Sequence, residues 1–323
     1  MTPLLLAQAS LTPGVWHQFS EFLAATVRLS VPLIYTALGG LLSERSGVLN
    51  IGLEGILLTG AFVSAMVAFL TQNLLLAAVA AVVAGGVVGL LHAFLCVTLR
   101  VDQVVSSLAI NLSAFGLTSF FSRLIFVSGA ANKLPKIDAV PIPGLEHLPL
   151  LGPLLFQQDP LVYVLFIVIP LGTYLLFHSH WGLTLRAVGE YPRAADTTGI
   201  RVAWVRYIAV TLGGSLASLG GVYLVLVHVR FFTENISAGK GFIALAALIF
   251  GKWHPIGASL ACLLFGATEA LQLRIQAFGV PIPYQFLSML PYGVALLAVI
   301  GLVGKAVAPA ALGIPYVKES RGE

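Results

Sequence analysis

What most constrains this chain is the succession of apolar runs that fills it. Mostly hydrophobic segments fall at about 21–42, 48–70, 74–98, 104–127, 160–178, 205–227, 240–251, 256–273 and 284–303. A helix that crosses a bilayer needs roughly 20 such residues, and in hydrocarbon every backbone N–H and C=O must be paired within the protein. Unbroken runs meet that demand as helices; an outer-membrane barrel would show alternation instead. Only 9% of the residues are charged, against about 25% in a soluble domain, too few to cover a water-facing surface of this size. The lipid bilayer is therefore the expected solvent. The chain reads as one all-α integral membrane domain over 1–323, a polytopic bundle of about 8–10 transmembrane segments. The run at 240–251 is too short to cross alone and reads as half of a broken or re-entrant element.

The ends and loops give direction. Residues 1–14 carry no Lys or Arg, and the apolar stretch around Leu4 is too short for a signal sequence, so no cleaved leader is expected. Cys96 and Cys262 sit in different apolar runs and read as small core residues, with neither disulfide nor metal spacing. The net charge of +4 is explained by cytoplasmic loops; no aromatic-basic pattern for nucleic acid is present. Lys and Arg collect on the cytoplasmic side of membrane spans. The loop at about 179–206 holds Arg186, Arg193, Arg201 and Arg206 and is placed inside. Alternation adds Arg45, Arg100 and Lys252 there, with Lys305, Lys318 and Arg321 on an inside tail. Lys133, Lys136 and the extracytoplasmic loop at about 128–160 fall on the other side, as does the N-terminus if the first run is a full crossing. That loop is too rich in Pro and Gly for a helix and apolar enough to lie against the membrane face; a packed connection is preferred to a docking surface.

Two Gly-rich lead-ins precede apolar helices: Asn50-Ile51-Gly52-Leu53-Glu54-Gly55-Ile56 and Ser237-Ala238-Gly239-Lys240-Gly241-Phe242-Ile243. On the topology above they come from opposite sides, the pattern of an inverted repeat whose interrupted segments meet near a central path. Asn50 and Glu54 differ by four residues and would share one helix face. Ionisable groups between apolar helices are costly and face protein, water or the interface. A structural polar clamp and a path lining both remain open for this pair. Thr59, Asn111, Lys240 and Phe242 join them as candidate path residues.

A second constellation is the stretch around Arg186, Gly189, Glu190, Pro192, Arg193, Ala194, Ala195, Asp196, Thr197 and Gly199. Pro suits a first helical turn and Gly a helix end, so 192–198 reads as a two-turn helix outside the bilayer. Such a helix on a charged loop has the shape to dock into a partner's groove, with small residues such as Ala195 allowing close approach. An ordinary interfacial loop is the competing reading. No phosphate-binding loop, HExxH, Cys/His metal spacing or nucleophile elbow occurs; no cofactor, metal or catalytic residue is expected. The seven scattered His residues read as packing or interface groups.

Three stretches, SERSGVLNIGLEGILLTGAF (43–62), GLTLRAVGEYPRAADTTGIRV (182–202) and GKGFIALAALIFGKWHPIGA (239–258), resemble in order and spacing the permease subunits of bacterial ABC importers of the branched-chain amino acid, ribose and simple-sugar superfamily. The shorter permease of nucleoside and simple-sugar systems is the nearest in pattern. The resemblance implies a type II importer permease fold with pseudo-symmetric inverted halves, in a bacterial inner membrane. It implies that 186–199 is the region coupling to an ATPase, with 192–198 the coupling helix, and that the segments opening at Asn50 and Lys240 line the path. It also implies partners: a second homologous permease in a heterodimer, a cytoplasmic ABC ATPase and an extracytoplasmic substrate-binding lipoprotein. ATP closing the ATPase pair would move the coupling helices and reopen the path, with no covalent chemistry on this chain and a small neutral solute as cargo. An ion-coupled secondary transporter using Glu54 or Glu269 leaves the 182–200 loop unexplained. A non-transport assembly subunit leaves the Gly-rich lead-ins unexplained.

Overall fold

The computed structural model describes residues 15–126, 134–145, 152–278, 283–301 and 306–317. In chain order the helices are α1 (Val15–Arg45), α2 (Leu53–Thr71), α3 (Leu74–Ala93) with a π-wound extension Phe94–Thr98, α4 (Gln103–Ile125), α5 (Pro160–His178), α6 (His180–Glu190), α7 (Pro192–Thr197), α8 (Val202–Tyr223) with a π-wound extension Leu224–Val229, α9 (Lys240–Phe250), α10 (Pro255–Ala277), α11 (Tyr284–Ser288) and α12 (Leu290–Gly301). Among the described residues, seven are long and apolar enough to cross a membrane: α1, α2, extended α3, α4, α5, extended α8 and α10. The short seventh run is α9. The last run, expected to be continuous, is two helices parted at Met289. Pro291 explains the break: its ring crowds the carbonyl four residues back and it has no N–H to continue the ladder.

Small residues decide which helix is central. A Cβ on Gly39 of α1 would lie 2.3 Å from the Gly213 carbonyl of α8, and one on Gly89 of α3 would lie 2.6 Å from the Val210 carbonyl. Side chains that small let backbones touch where lipid gives no hydrophobic drive between helices. The apolar windows of α1 and α8 are 72% buried, those of α3 and α4 28% and that of α5 17%. The first two are therefore core, while the last three turn residues such as Leu75, Leu112 and Ile167 outward.

The 134–145 segment hydrogen-bonds to the bundle through Leu134 N–H to Arg230 O and Ile137 N–H to Leu226 O, and Leu134 is buried. Lys133, Lys305, Lys318 and Arg321 lie outside the described residues. At one end of the bundle are Arg45, Arg186, Arg193 and Arg201; at the other the Phe126 and Phe232 rings pack together.

Candidate functional site

Between α1 and α2 the chain is not helical over 48–52, yet Val48, Asn50 and Gly52 are buried. Buried backbone must find partners elsewhere, and here they are side chains. On α4, Gln103, Ser107 and Asn111 are spaced by four and form one face. Gln103 Oε1 accepts from Leu49 N–H at 2.6 Å, and Ser107 Oγ from Ile51 N–H at 3.1 Å. Asn111 Oδ1 accepts from Gly55 N–H at 2.8 Å, while its Nδ2 donates to Ile51 O at 3.1 Å. His92 Nε2 lies 3.0 Å from Leu49 O, and Nδ1 3.0 Å from Ser106 Oγ. The first lead-in is thus held by neutral amides, a hydroxyl and an imidazole.

The second lead-in is held by charge. Glu54, in the first turn of α2, accepts on Oε1 from Ser237 Oγ at 2.6 Å and Gly239 N–H at 2.9 Å, and on Oε2 from Gly241 N–H at 2.6 Å. Gly239 is left-handed at φ 85°, and a Cβ on Gly241 would fall 2.5 Å from Glu54 Cα. From this contact α2 runs towards the Phe126 end and α9 towards Trp253 beside Glu44 and Arg45, so two helix N-termini meet head to head. Each presents a partial positive charge and unpaired N–H groups. The Glu54 carboxylate answers the N–H groups of the α9 end, by charge-assisted bonds that are the stronger kind, while Asn111 Oδ1 takes Gly55 N–H of α2. Next to it, Lys240 Nζ is 2.7 Å from both carboxylate oxygens of Glu269 on α10.

The structure thus brings together Glu54, Lys240 and, on the first lead-in, Asn111. It separates Asn50 from Glu54: Asn50 precedes the first turn of α2, so the pair shares no helix face. The i, i+4 spacing gives no shared face because the Ile51-Gly52 turn intervenes. Asn50 is fully buried and neither amide atom has a partner. Thr59 bonds back to Gly55 O, and Phe242 stands half exposed one turn into α9. Sequence reasoning missed Gln103, Ser107 and Ser237. The four-residue spacing on α4 was a legible signal for the first two.

At the Arg-rich end, the stretch before Pro192, expected to be loop, is the helix α6, while α7 starts at Pro192 as expected and ends at Thr197, one residue short, with Gly199 beyond it at φ 88°. Ala195 is a correction. It is 3% exposed, packed with Val188 and Val202, because a six-residue helix lying on α6 and α8 must bury one face. Tyr191, Arg193, Ala194, Thr197, Thr198 and Gly199 are the exposed ones. A Cβ on Gly189 would lie 2.2 Å from Arg45 O, so α6 ends directly on the end of α1. Residues 306–317 strap this junction: Ala311 N–H donates to Gly189 O at 2.9 Å, Ala310 N–H to Glu190 Oε2 at 3.1 Å and Gly313 N–H to Gly47 O at 3.2 Å. Arg206, read from sequence as a loop charge, is 1% exposed. Its Nε donates to Ser46 O at 3.1 Å and its Nη1 to Ile314 O at 3.2 Å. A bonded route therefore runs from α6 through 45–49 to the first lead-in and Glu54.

A family profile described as "Branched-chain amino acid transport system / permease component" matches residues 22–300. The guanosine ABC transporter permease protein NupQ of Bacillus subtilis (strain 168) is 42% identical over 312 residues, covering 94% of this chain and 98% of its own. The nucleoside ABC transporter permease protein NupC of Lactococcus lactis subsp. cremoris (strain MG1363) is 40% identical over 299 residues, 90% of this chain and 94% of its own. A second guanosine permease of the same Bacillus, NupP, is 25% identical over 270 residues, 80% and 76% of the two chains. No solved structure matches the chain.

Proposed function

The chain belongs to the permease-component family of branched-chain amino acid transport systems and is a multi-pass ABC transporter permease; on that premise we propose that it carries nucleosides, driven by a separate ATPase that docks on α7. Family membership removes the ion-coupled and non-transport readings. The nucleoside assignment is supported by two relatives that are named for nucleoside or guanosine and matched over nearly their whole length. The observation that carries the path is the head-to-head contact of α2 and α9 through Glu54. Glu54, Lys240, Asn111, Thr59 and Phe242 border the path there, and Asn50 is buried at the start of the first lead-in. A carboxylate, an ion pair and lead-ins without helix hydrogen bonds give a polar passage between apolar helices, where bilayer-depth irregular backbone is tolerated.

The Arg-rich end is cytoplasmic under the positive-inside rule. There α7 and its C-cap offer Ala194, Thr197 and Thr198 to the ATPase, while Ala195 seats α7 against Val188 of α6, and Gly189 and Glu190 fix α6 to Arg45 and the 306–317 strap. Arg186, Arg193 and Asp196 flank the docking face, and Gly199 ends it. ATP hydrolysis belongs to the partner, and the NupP and NupQ pair in one organism supports a heterodimer with a second permease. A substrate-binding lipoprotein delivers the cargo from outside.

The experiment is guanosine uptake by cells carrying the complete transporter, with pull-down of the ATPase by the tagged permease. Ala194→Trp on the exposed face should abolish both. Gly199→Val should weaken both, since a β-branched residue resists positive φ. Normal uptake and normal pull-down in both variants would disprove the docking assignment. Absence of guanosine uptake by the unmodified transporter, with another solute stimulating its ATPase, would disprove the substrate.

A further inference from the structure

Two cavities adjoin at the Arg-rich end of α8, and their linings differ in kind. The first, of about 320 Å³, is lined by Arg100, Arg201 and Arg206 with Asp196 and Tyr316. Three guanidiniums face one carboxylate, so the lining keeps a positive excess. Arg206 bonds only to carbonyls, which leave its charge uncompensated, and its Nη2 is buried with no partner. The second cavity, of about 490 Å³, is an apolar groove between Leu90 of α3 and a stripe on α8 formed by Trp204, Tyr207, Ile208, Thr211 and Leu212. That stripe recurs every four residues and so runs about 12 Å along the helix axis, at about 1.5 Å per residue. Trp204 and Ala203 line both cavities. Trp204 is 62% exposed, at the helix end where an amphipathic ring marks the membrane–water interface.

We propose that this composite cavity binds one anionic phospholipid, its headgroup phosphate between the exposed Arg100 and Arg201, with the buried charge of Arg206 behind them, and one acyl chain along the α8 stripe. The charge selects the headgroup: guanidiniums match phosphate oxygens with paired donors. Basic pockets between membrane helices on the cytoplasmic side suit acidic lipid headgroups. The groove selects a lipid over a free anion, since an apolar trough opening on the same ring offers nothing to inorganic phosphate. Asp196 belongs to α7, so the headgroup would sit against the base of the docking helix.

The test is native mass spectrometry of the full-length purified permease in detergent, titrated with phosphatidylglycerol, phosphatidylcholine or inorganic phosphate. A one-to-one phosphatidylglycerol adduct is expected, with phosphatidylcholine retained at least tenfold more weakly. The double variant Arg100→Gln/Arg201→Gln changes two exposed side chains that the bundle does not need. It should weaken phosphatidylglycerol about thirtyfold, at about 1 kcal/mol per basic residue. Ala203→Trp, which fills the junction without altering charge, should also weaken it. Equal retention of the two lipids, an unchanged adduct in the double variant, or displacement of the lipid by millimolar inorganic phosphate would each overturn the proposal.

Discussion

The two lead-ins solve the same backbone problem with opposite chemistry. The first takes neutral partners from α4 and His92. The second takes a single carboxylate, Glu54, and stands beside the Lys240–Glu269 ion pair. They also differ in completeness. Asn50 and Gln103 Nε2 at the first lead-in are buried without partners, whereas no buried side-chain atom without a partner belongs to the described residues of the second. Charge concentrates stability in one group, while a spread of neutral bonds can be lost one at a time. A fully paired lead-in suits a fixed hinge. One with spare hydrogen-bonding groups, connected through Arg206 and the strap to α6, suits the part that shifts.

The contrast breaks most visibly at Glu54. Glu54→Ala strands two buried donors and one part-buried one, each buried donor costing about 1–3 kcal/mol, and is expected to abolish uptake and collapse the thermal unfolding transition in detergent. Glu54→Gln, which keeps an acceptor oxygen, should fall between. If Glu54→Ala melts like the unmodified protein, the carboxylate is not what holds α9.

A smaller loss is expected on the neutral side. Asn111→Ala removes two of several bonds to the first lead-in, a cost of about 1–3 kcal/mol; the protein should still fold, with a lower melting temperature and reduced uptake. A drop as deep as that of Glu54→Ala would erase the distinction between concentrated and distributed support.

Asn50 sharpens the comparison with a change of sign. Its amide is buried and unpaired, so Asn50→Leu, of the same branched shape, relieves a desolvation penalty. Stability should hold or rise by up to about 1 kcal/mol. A clear fall in melting temperature would mean the amide has a partner, and the first lead-in would be as fully bonded as the second.

The smallest effect concerns the tether of the loop feeding the second lead-in. Arg123 on α4 donates to both Glu234 oxygens, at 2.7 and 3.0 Å, and holds that carboxyl below its usual range. Stability from a lowered carboxyl is present above the unfolded value of about 4.3 and is lost as pH falls through the lowered one. Both side chains are exposed, so the shift in melting temperature is expected to be slight. Glu234→Gln should melt just below the unmodified protein at pH 7, with the gap closing in acid. A gap that widens in acid would refute the pairing.

Much of this was legible in sequence because it is local. Apolar runs set the spans, and Pro192 and Gly199 bracketed α7. The two Gly-rich stretches announced where helices start inside the bundle. Misreadings arose where a local rule met a distant partner. Asn50 and Glu54 have helical spacing, but the turn between them is made by packing against α4. Ala195 looked like a docking residue until α8 and Val202 were seen to cover it. Arg206 looked like any loop Arg, although burial turns it inward onto Ser46 and Ile314.

Hydropathy and helix punctuation made the multi-span helical membrane protein and the short helix α7 legible in the sequence, since both act over a turn or a span. Packing across the bundle set Glu54 at the start of a helix 187 residues away. It alone decided that a strap at 306–317 ties α6 to the first lead-in. The reason is that an ionised or amide side chain in an apolar interior is placed by whichever backbone groups are left unpaired nearby, and helix packing chooses those neighbours.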